Sequence, residues 1–154
     1  MPRLALLVRN SLRDPVITTA GPHARLSRRR LPYVVLSLGT IALGLATRRC
    51  SACFPRFVAE YGGDTLYATL VFFLLALVAP RARRGGLAAG AFAFSAAVEF
   101  SQAWRTPLLD AVRANPLGRL VLGTTFVPSD FACYLVGALL GAAVDASVSS
   151  RRPR

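Results

Sequence analysis

The sequence predicts an all-α integral membrane protein, a bundle of four transmembrane helices with an interfacial or re-entrant segment between helices three and four. Of its 154 residues, 54% are hydrophobic and only 17% are charged, whereas about 25% of the residues of soluble domains are charged. The charges are grouped in blocks, and the apolar stretches between these blocks are long enough to cross a bilayer. These stretches show no alternation with a period of two, so we predict helices rather than barrel strands.

The first element is a basic leader, residues 1–30, which we expect to be disordered and cytoplasmic. Its apolar run, residues 4–8, is too short for a secretory signal. Residues 27–31 resemble a twin-arginine export signal. We prefer the hypothesis that this arginine-rich flank orients the first span.

Four apolar segments follow the leader, and each has about the length of a membrane span. We predict spans at about residues 31–47, 64–79, 86–104 and 126–146, followed by a basic cytoplasmic tail at 147–154. Glycines recur four residues apart in the last two spans, at Gly86 and Gly90 and at Gly137 and Gly141. This spacing lets helix backbones approach closely, so we expect helix contacts at both pairs.

The connection between the third and fourth spans is too polar to cross the membrane and too apolar for a plain loop. Pro107 is expected to start a short helix, which Asn115 and Pro116 would end, and residues 117–122 resume an apolar pattern around Arg119. This mixture predicts the interfacial or re-entrant segment of the bundle.

The net charge of +12 comes from arginines, since the sequence has no lysine. These arginines lie at the ends of apolar segments and not on one face of a folded unit, so we predict lipid headgroups and exclude nucleic acid as their partner. More of them lie on the side of both termini and the loop at 81–84 than on the opposite side. The positive-inside rule therefore predicts a multi-pass protein of the cell membrane with both termini cytoplasmic.

Cys50 and Cys53 have the C-x-x-C spacing in the connection after the first span. No second pair and no nearby histidine completes a zinc site. Two unpaired cysteines are the hypothesis we favour, and a local disulfide is the alternative if the loop faces an oxidising compartment. Cys133 lies in an apolar segment, where we expect it to pack.

The predicted topology brings the unusual polar residues to the outer end of the bundle. Glu99 and Gln102 are three residues apart and Asp130 and Tyr134 are four apart, so each pair shares a helix face. Residues at the ends of the first two spans and an arginine of the outer segment complete the candidate binding cluster: Arg48, Asp64, Glu99, Gln102, Arg119, Asp130 and Tyr134.

A carboxylate within the membrane costs about 2.5–3.5 kcal/mol near a helix centre, so it faces a partner, water or the protein interior. Two hypotheses stay open: a hydrogen-bonded cluster that only holds the helices together, or a polar pocket open to the outer leaflet. An arginine, Arg48, Arg113 or Arg119, is the expected counter-charge. The sole histidine, His23, lies in the leader, and we predict no metal site and no cofactor.

The cluster residues also resemble a known family. Glu99-x-x-Gln102, Arg119 and Asp130-x-x-x-Tyr134-x-x-Gly137 resemble the VanZ-like pattern, which usually has Asn at the position of Tyr134. This tyrosine and the segment YGGDTLYA at residues 61–68 are more similar to a sister group, the uncharacterised bacterial membrane proteins of the "domain of unknown function 2809" family. The resemblance covers residues 31–145 and implies that the key polar residues are Glu99, Gln102, Arg119, Asp130 and Asp64.

Four functional hypotheses follow from the predicted cluster. The first is a binding protein whose outward-facing pocket recognises a component of the cell envelope: a lipid headgroup, a cell-wall precursor or an ion. The second is a small proton-linked transporter that uses Glu99 and Asp130. The third is a structural or accessory protein. An enzyme acting on a lipid or glycan comes last, since nothing in the sequence demands enzyme chemistry. The expected partners are the lipid bilayer and an envelope ligand, and the oligomeric state is left open.

Overall fold

The computed structural model describes residues 30–104, 106–123 and 125–150. In these ranges the chain is helical and has no strand, which confirms the all-α prediction. The elements are α1 (Arg30–Arg49), a 3₁₀ turn (Ser51–Cys53), α2 (Arg56–Val78), α3 (Arg84–Gln102), α4 (Pro107–Ala114), α5 (Pro116–Leu122) and α6 (Asp130–Ser150). The predicted leader, apart from Arg30, and the last four residues of the predicted tail lie outside the described residues.

Three of the helices, α1, α2 and α6, are long and apolar enough to cross a membrane. The third predicted span corresponds to α3, which has 19 residues but is not one of these three. Glu99 and Gln102 lower its hydropathy. The described chain is therefore an all-helical protein with three helices compatible with a bilayer, and the fourth span stays a prediction.

The second helix begins well before the predicted span at 64–79. It starts at Arg56, directly after Pro55, and continues through Gly62 and Gly63. Gly62 lies against Thr47 of α1, with 3.8 Å between a Cβ built at Gly62 and the Thr47 methyl, and Gly63 lies against Arg48. Contact with α1 thus outweighs the low helix propensity of glycine.

Helix α2 is the centre of the bundle and packs against α1, α3 and α6. It runs parallel to α6, because Thr65 and Phe72 of α2 face Gly137 and Gly141 of α6 in the same order. Helices α1 and α3 run in the opposite direction. One end of the bundle therefore holds the last turns of α1 and α3 and the first turns of α2 and α6, and we call it the Glu99 end. The opposite end is called the Arg84 end.

The backbones of α2 and α6 approach each other closely at two glycines of α6. A Cβ at Gly137 would overlap the carbonyl oxygen of Thr65, and one at Gly141 would lie 2.7 Å from the ring of Phe72. The hydroxyl of Thr69 lies 2.9 Å from the Gly137 carbonyl oxygen and 2.9 Å from that of Thr65. The predicted contact at Gly137 and Gly141 is confirmed.

Helix α3 faces the bundle along a single stripe with a four-residue period. Its buried residues are Leu87, Ala91, Ser95 and Glu99. The expected contact at Gly86 is wrong, since a Cβ there would meet open space. Glu99 points into the bundle because it lies on the same helix face as these three small or apolar residues.

The core and the surface of the bundle are both apolar. The buried core cluster consists of Tyr33, Val71, Phe72, Phe73, Ala76, Leu87, Ala91 and Ala138. Large apolar side chains also cover the outside of α1 and α6, at Leu31, Val35, Leu38, Leu135, Val136 and Leu139. Continuous exposed apolar faces of this kind suit hydrocarbon and not water.

Two short helices, α4 and α5, lie between α3 and α6. Pro107 and Pro116 occupy their first turns, and the side chains of Thr106 and Asn115 accept hydrogen bonds from the backbone N–H groups of Leu109 and Leu117. The helix predicted to start at Pro107 is α4. Helix α5 is followed by Gly123, which has a positive φ of 63°, and contacts α3 at the Glu99 end.

Candidate functional site

The centre of the candidate site is Glu99, whose side chain is buried with 1% exposure. Its Oε2 accepts hydrogen bonds from the Tyr134 hydroxyl at 2.7 Å and from Gln102 Nε2 at 3.1 Å. Its Oε1 accepts one from the backbone N–H of Val127 at 2.5 Å. We call these four groups the Glu99 network. It connects α3 to α6 and to the segment before α6.

The Glu99 network satisfies its carboxylate with uncharged donors. Among the described residues, no arginine pairs with Glu99; the ion pairs there involve Asp64, Asp110 and Asp145. A buried polar group costs free energy when it lacks hydrogen bonds, and here both carboxylate oxygens have them. The hydrogen bonds of the network are therefore suited to joining helices to one another.

Aromatic rings enclose the Glu99 network. The Tyr134 ring lies 6.4 Å from that of Tyr67 and 6.3 Å from that of Phe131, measured between centroids. Phe131 in turn contacts Phe100 at 5.2 Å and Phe126 at 6.3 Å. Because Glu99 is buried and its partner Tyr134 packs among these rings, the hydrogen bonds of Glu99 are made in a largely apolar environment.

Gln102 extends the network to α5. A Cβ at Gly123 would lie 2.6 Å from Gln102 Nε2, and the positive φ of Gly123 also disfavours any other residue there. Glycine thus allows the end of α5 to lie directly on the Gln102 amide. The position of α5 consequently depends on a residue that is bound to Glu99.

A second polar pair, Arg48 and Asp64, joins α1 to α2. Their closest nitrogen and oxygen are 3.8 Å apart, and the side chains are 50% and 29% exposed. Gly63 makes room for the guanidinium, which would lie 3.3 Å from a Cβ at that position. A pair this long and this exposed is weak, so the Arg48 guanidinium keeps donors for another partner.

The remaining predicted site residues, Asp130 and Arg119, make no hydrogen bond to the Glu99 network in the described part of the chain. Asp130 is the first residue of α6, and its Oδ1 is 3.4 Å from the hydroxyl of Ser129. Arg119 is exposed on α5, with its Nε 3.5 Å from the carbonyl oxygen of Arg113. The structure therefore brings together Glu99, Gln102 and Tyr134, and separately Arg48 and Asp64.

Arg113 of α4, an expected counter-charge, binds backbone oxygens instead. Its guanidinium donates to the carbonyl oxygens of Ser101 at 2.7 Å and Trp104 at 3.2 Å. These belong to the C-terminal end of α3 and the residues just after it, where carbonyl groups lack helical partners. Arg113 thus fixes α4 against the end of α3.

The acidic residues do not converge on a cation. In the described ranges, no group of three or more His, Cys, Asp or Glu residues is placed to hold a metal ion. Asp64, Glu99 and Asp130 share the Glu99 end of the bundle without forming one ligand set.

Two grooves flank the contact between α1 and α2 at the Glu99 end. The first, which we call the Arg48 groove, has a volume of about 240 Å³ and is lined by α1, α2 and α5, including Thr40, Arg48, Gly63, Tyr67, Leu120 and Val121. The hydroxyl of Tyr67 is buried and has no hydrogen-bond partner in the described part of the chain. The second groove, of about 540 Å³, lies between α1, α2 and α6 and is lined mainly by apolar residues.

Comparison with known families supports the resemblance noted in the sequence. The family described as a protein of unknown function, DUF2809, matches residues 53–138, more than half of the chain. The protein belongs to this family. The match includes Asp64, Glu99, Gln102, Arg119 and Asp130, whereas the relation to VanZ-like proteins stays a prediction. No solved structure matches the chain.

A third polar group, centred on a residue outside the DUF2809 match, was missed in the sequence. Asp145 of α6 is fully buried, and it accepts hydrogen bonds from the Tyr33 hydroxyl at 2.5 Å and from Arg84 Nε at 2.8 Å. We call these three residues the Asp145 network. It joins α1, α3 and α6 at the Arg84 end. An aspartate in an otherwise apolar helix was the available signal, but we assigned no role to Asp145 within the predicted span at 126–146.

The two cysteines before α2 form a disulfide, so the favoured hypothesis of two unpaired cysteines is wrong. Cys53 begins the DUF2809 match and Cys50 lies just before it. The 3₁₀ turn brings their Cα atoms to 5.4 Å, and the Cys53 N–H donates to the Cys50 carbonyl oxygen at 2.9 Å. Cys133 is free and buried, as expected.

Proposed function

We propose that this DUF2809 protein binds an anionic amphiphile of the cell envelope in the Arg48 groove. The anionic headgroup would bind the Arg48 guanidinium, and an acyl or polyprenyl chain would lie on the apolar lining. The observation that carries the proposal is a groove in which a weakly paired arginine lies beside apolar walls. Charge complementarity favours an anionic ligand, and the walls favour a lipid.

The proposed setting is the bacterial cytoplasmic membrane, crossed four times with both termini in the cytoplasm. α3 packs antiparallel against α2 and α6, so it would cross the same layer. Its polar residues Glu99 and Gln102 are bonded within the protein and need no water. The arginines of the 81–84 loop would face the cytoplasm. The disulfide at the Glu99 end supports the same orientation, because disulfides persist in oxidising compartments.

The Glu99 network would shape the groove indirectly. Glu99 binds Gln102, Gln102 contacts Gly123 at the end of α5, and α5 supplies Leu120 and Val121 to the groove wall. We infer that the network positions this wall and does not itself contact the ligand.

Lipid retention in a neutral detergent tests the proposal. Protein reconstituted with phosphatidylglycerol and phosphatidylcholine is extracted, and the retained lipid is quantified by mass spectrometry. We expect preferential retention of the anionic lipid, reduced about threefold to tenfold by Arg48→Gln. Arg49→Gln is the matched control, since Arg49 carries the same charge next to Arg48 but does not line the groove.

Two results would contradict the proposal. If the wild-type protein retains both lipids equally, the groove has no anionic site. If Arg49→Gln reduces retention as much as Arg48→Gln, the attraction is a general effect of the basic surface and not of this groove.

The second candidate is a structural or accessory protein without a ligand, favoured by the complete hydrogen bonding of Glu99 inside the protein. In that case Arg48→Gln leaves lipid retention unchanged, while Tyr134→Phe still destabilises the bundle. A proton-linked carrier using Glu99 and Asp130 has less support, because neither residue lines the Arg48 groove or the second groove.

A further inference from the structure

We propose that Cys50 and Cys53 are a redox-active pair that exchanges electrons with a dithiol of another protein on the same side of the membrane. The inference rests on three features: the exposure of the pair, its position in one short turn, and the charge around it. It does not depend on ligand binding in the Arg48 groove.

The disulfide is open to a protein partner. Cys50 and Cys53 are both exposed, as are Ser51 and Ala52 between them. The turn lies at the end of α1, beyond the apolar part of that helix. Exposed disulfides are the more easily reduced class, whereas structural disulfides resist reduction.

The backbone keeps the two thiols close after reduction. The Cys50 N–H donates to the Ala46 carbonyl oxygen at 2.9 Å, and the Cys53 N–H donates to the Cys50 carbonyl oxygen at 2.9 Å. Both bonds are independent of the sulfur atoms. The reduced pair therefore remains in a conformation from which the disulfide forms again.

A purely stabilising role explains the pair poorly. The gain in stability from a disulfide increases with the length of the loop that it closes. Here the cysteines are separated by only 3 positions, so the bond restricts the unfolded chain little.

The surrounding charge favours the thiolate form. Arg48 and Arg49 directly precede Cys50, and Arg56 is the third residue after Cys53. Cationic neighbours and the C-x-x-C spacing both stabilise a thiolate, which is the attacking and the leaving group in thiol–disulfide exchange.

The exchange proceeds in two balanced steps. A thiolate of the partner attacks one sulfur of the pair, forms a mixed disulfide and releases the other cysteine as a thiolate, which takes up a proton. The second thiol of the partner then loses its proton and attacks the mixed disulfide. This releases Cys50 and Cys53 as a dithiol and leaves a disulfide in the partner. Two electrons and two protons pass from the partner to this protein.

Redox titration of the full-length protein in detergent tests the proposal. A Cys133→Ser background is used, so that the thiol reagent labels only Cys50 and Cys53. The protein is equilibrated with glutathione buffers of graded thiol-to-disulfide ratio and quenched with a polyethylene glycol maleimide, and the oxidised fraction is read from a gel shift. We expect a complete and reversible transition while the fold is retained. The Cys53→Ser variant should form a mixed disulfide with glutathione at Cys50.

Arg49→Gln, which leaves both cysteines in place, is expected to slow the exchange severalfold because it removes a neighbouring cation. The proposal is overturned if the pair stays oxidised at every glutathione ratio until the protein is unfolded, since the bond is then structural. It is also overturned if acid-quenched membranes contain the pair only as free thiols. Neither result bears on lipid retention, so the two proposals fail separately.

Discussion

Replacement of Tyr134 by phenylalanine tests whether the Glu99 network holds the bundle together. The substitution removes one hydroxyl and keeps the ring that packs between Tyr67 and Phe131. The lost group is the donor 2.7 Å from Glu99 Oε2. Gln102 still donates to that oxygen and Val127 still donates to the other.

The expected cost is about 1 kcal/mol of unfolding free energy. Hydrogen bonds to charged groups contribute about 1.5–3 kcal/mol in soluble proteins. Measured hydrogen bonds between membrane helices average about 0.6 kcal/mol and reach about 1.7 kcal/mol. Tyr134 and Glu99 are both buried, which favours the upper part of the membrane range, but the remaining two donors moderate the loss. For a chain of this size, about 1 kcal/mol lowers Tm by roughly 4 °C.

The assay is thermal unfolding in a neutral detergent, followed by far-ultraviolet circular dichroism. Tyr67→Phe is the matched control, because it removes a neighbouring hydroxyl that is also buried but has no partner in the described chain. We expect no loss of stability from the control. If Tyr134→Phe leaves Tm unchanged, or if the two variants lower Tm equally, the Glu99 network does not stabilise the bundle and our reasoning is refuted.

Three further predictions concern other contacts and use the same unfolding assay. Gly141→Ala is expected to cost about 1–3 kcal/mol by overpacking the α2–α6 contact, whereas Gly86→Ala, in open space, is expected to cost nothing. Asp145→Asn removes the charge that pairs with Arg84 and is expected to cost about 1–3 kcal/mol, since Asp145 is fully buried. Gly123→Ala is expected to cost about 1–3 kcal/mol from its positive φ alone, and it should also reduce lipid retention by displacing α5.

Each of these has an outcome that contradicts it. Equal effects of the alanines at positions 141 and 86 would mean that α2 and α6 do not approach closely. An Asp145→Asn protein as stable as the wild type would show that the Asp145 network contributes no net stability. Unchanged lipid retention in Gly123→Ala would separate α5 from the Arg48 groove.

The helices were predictable from the sequence where hydropathy and charge agree. The first predicted span, 31–47, lies within α1 (Arg30–Arg49) because arginines mark both of its ends. The start of α2 was not predictable in this way. Residues 56–63 include Arg56, Glu60 and two glycines, which reduce the hydropathy although the backbone is helical. A helix that continues beyond the apolar layer has no hydropathy signal for that part.

The candidate site was predictable in part, for a related reason. Spacing showed that Glu99 and Gln102 share one helix face, and Gln102 does bind Glu99. Spacing does not show which neighbouring helix that face meets. It therefore could not show that Tyr134 binds Glu99 whereas Asp130 does not. The Val127 donor is a backbone group, for which no residue type is a signal.

Helices α3 and α6 are joined by side-chain hydrogen bonds at both ends of their contact. Glu99 and Tyr134 bond these antiparallel helices at one end, and Arg84 and Asp145 bond them at the other. Sliding one helix along the other by a single turn, about 5.4 Å, would break both bonds at once. The pair therefore resists shear and moves as one unit. A displacement at one end of the pair is thus transmitted to the other end.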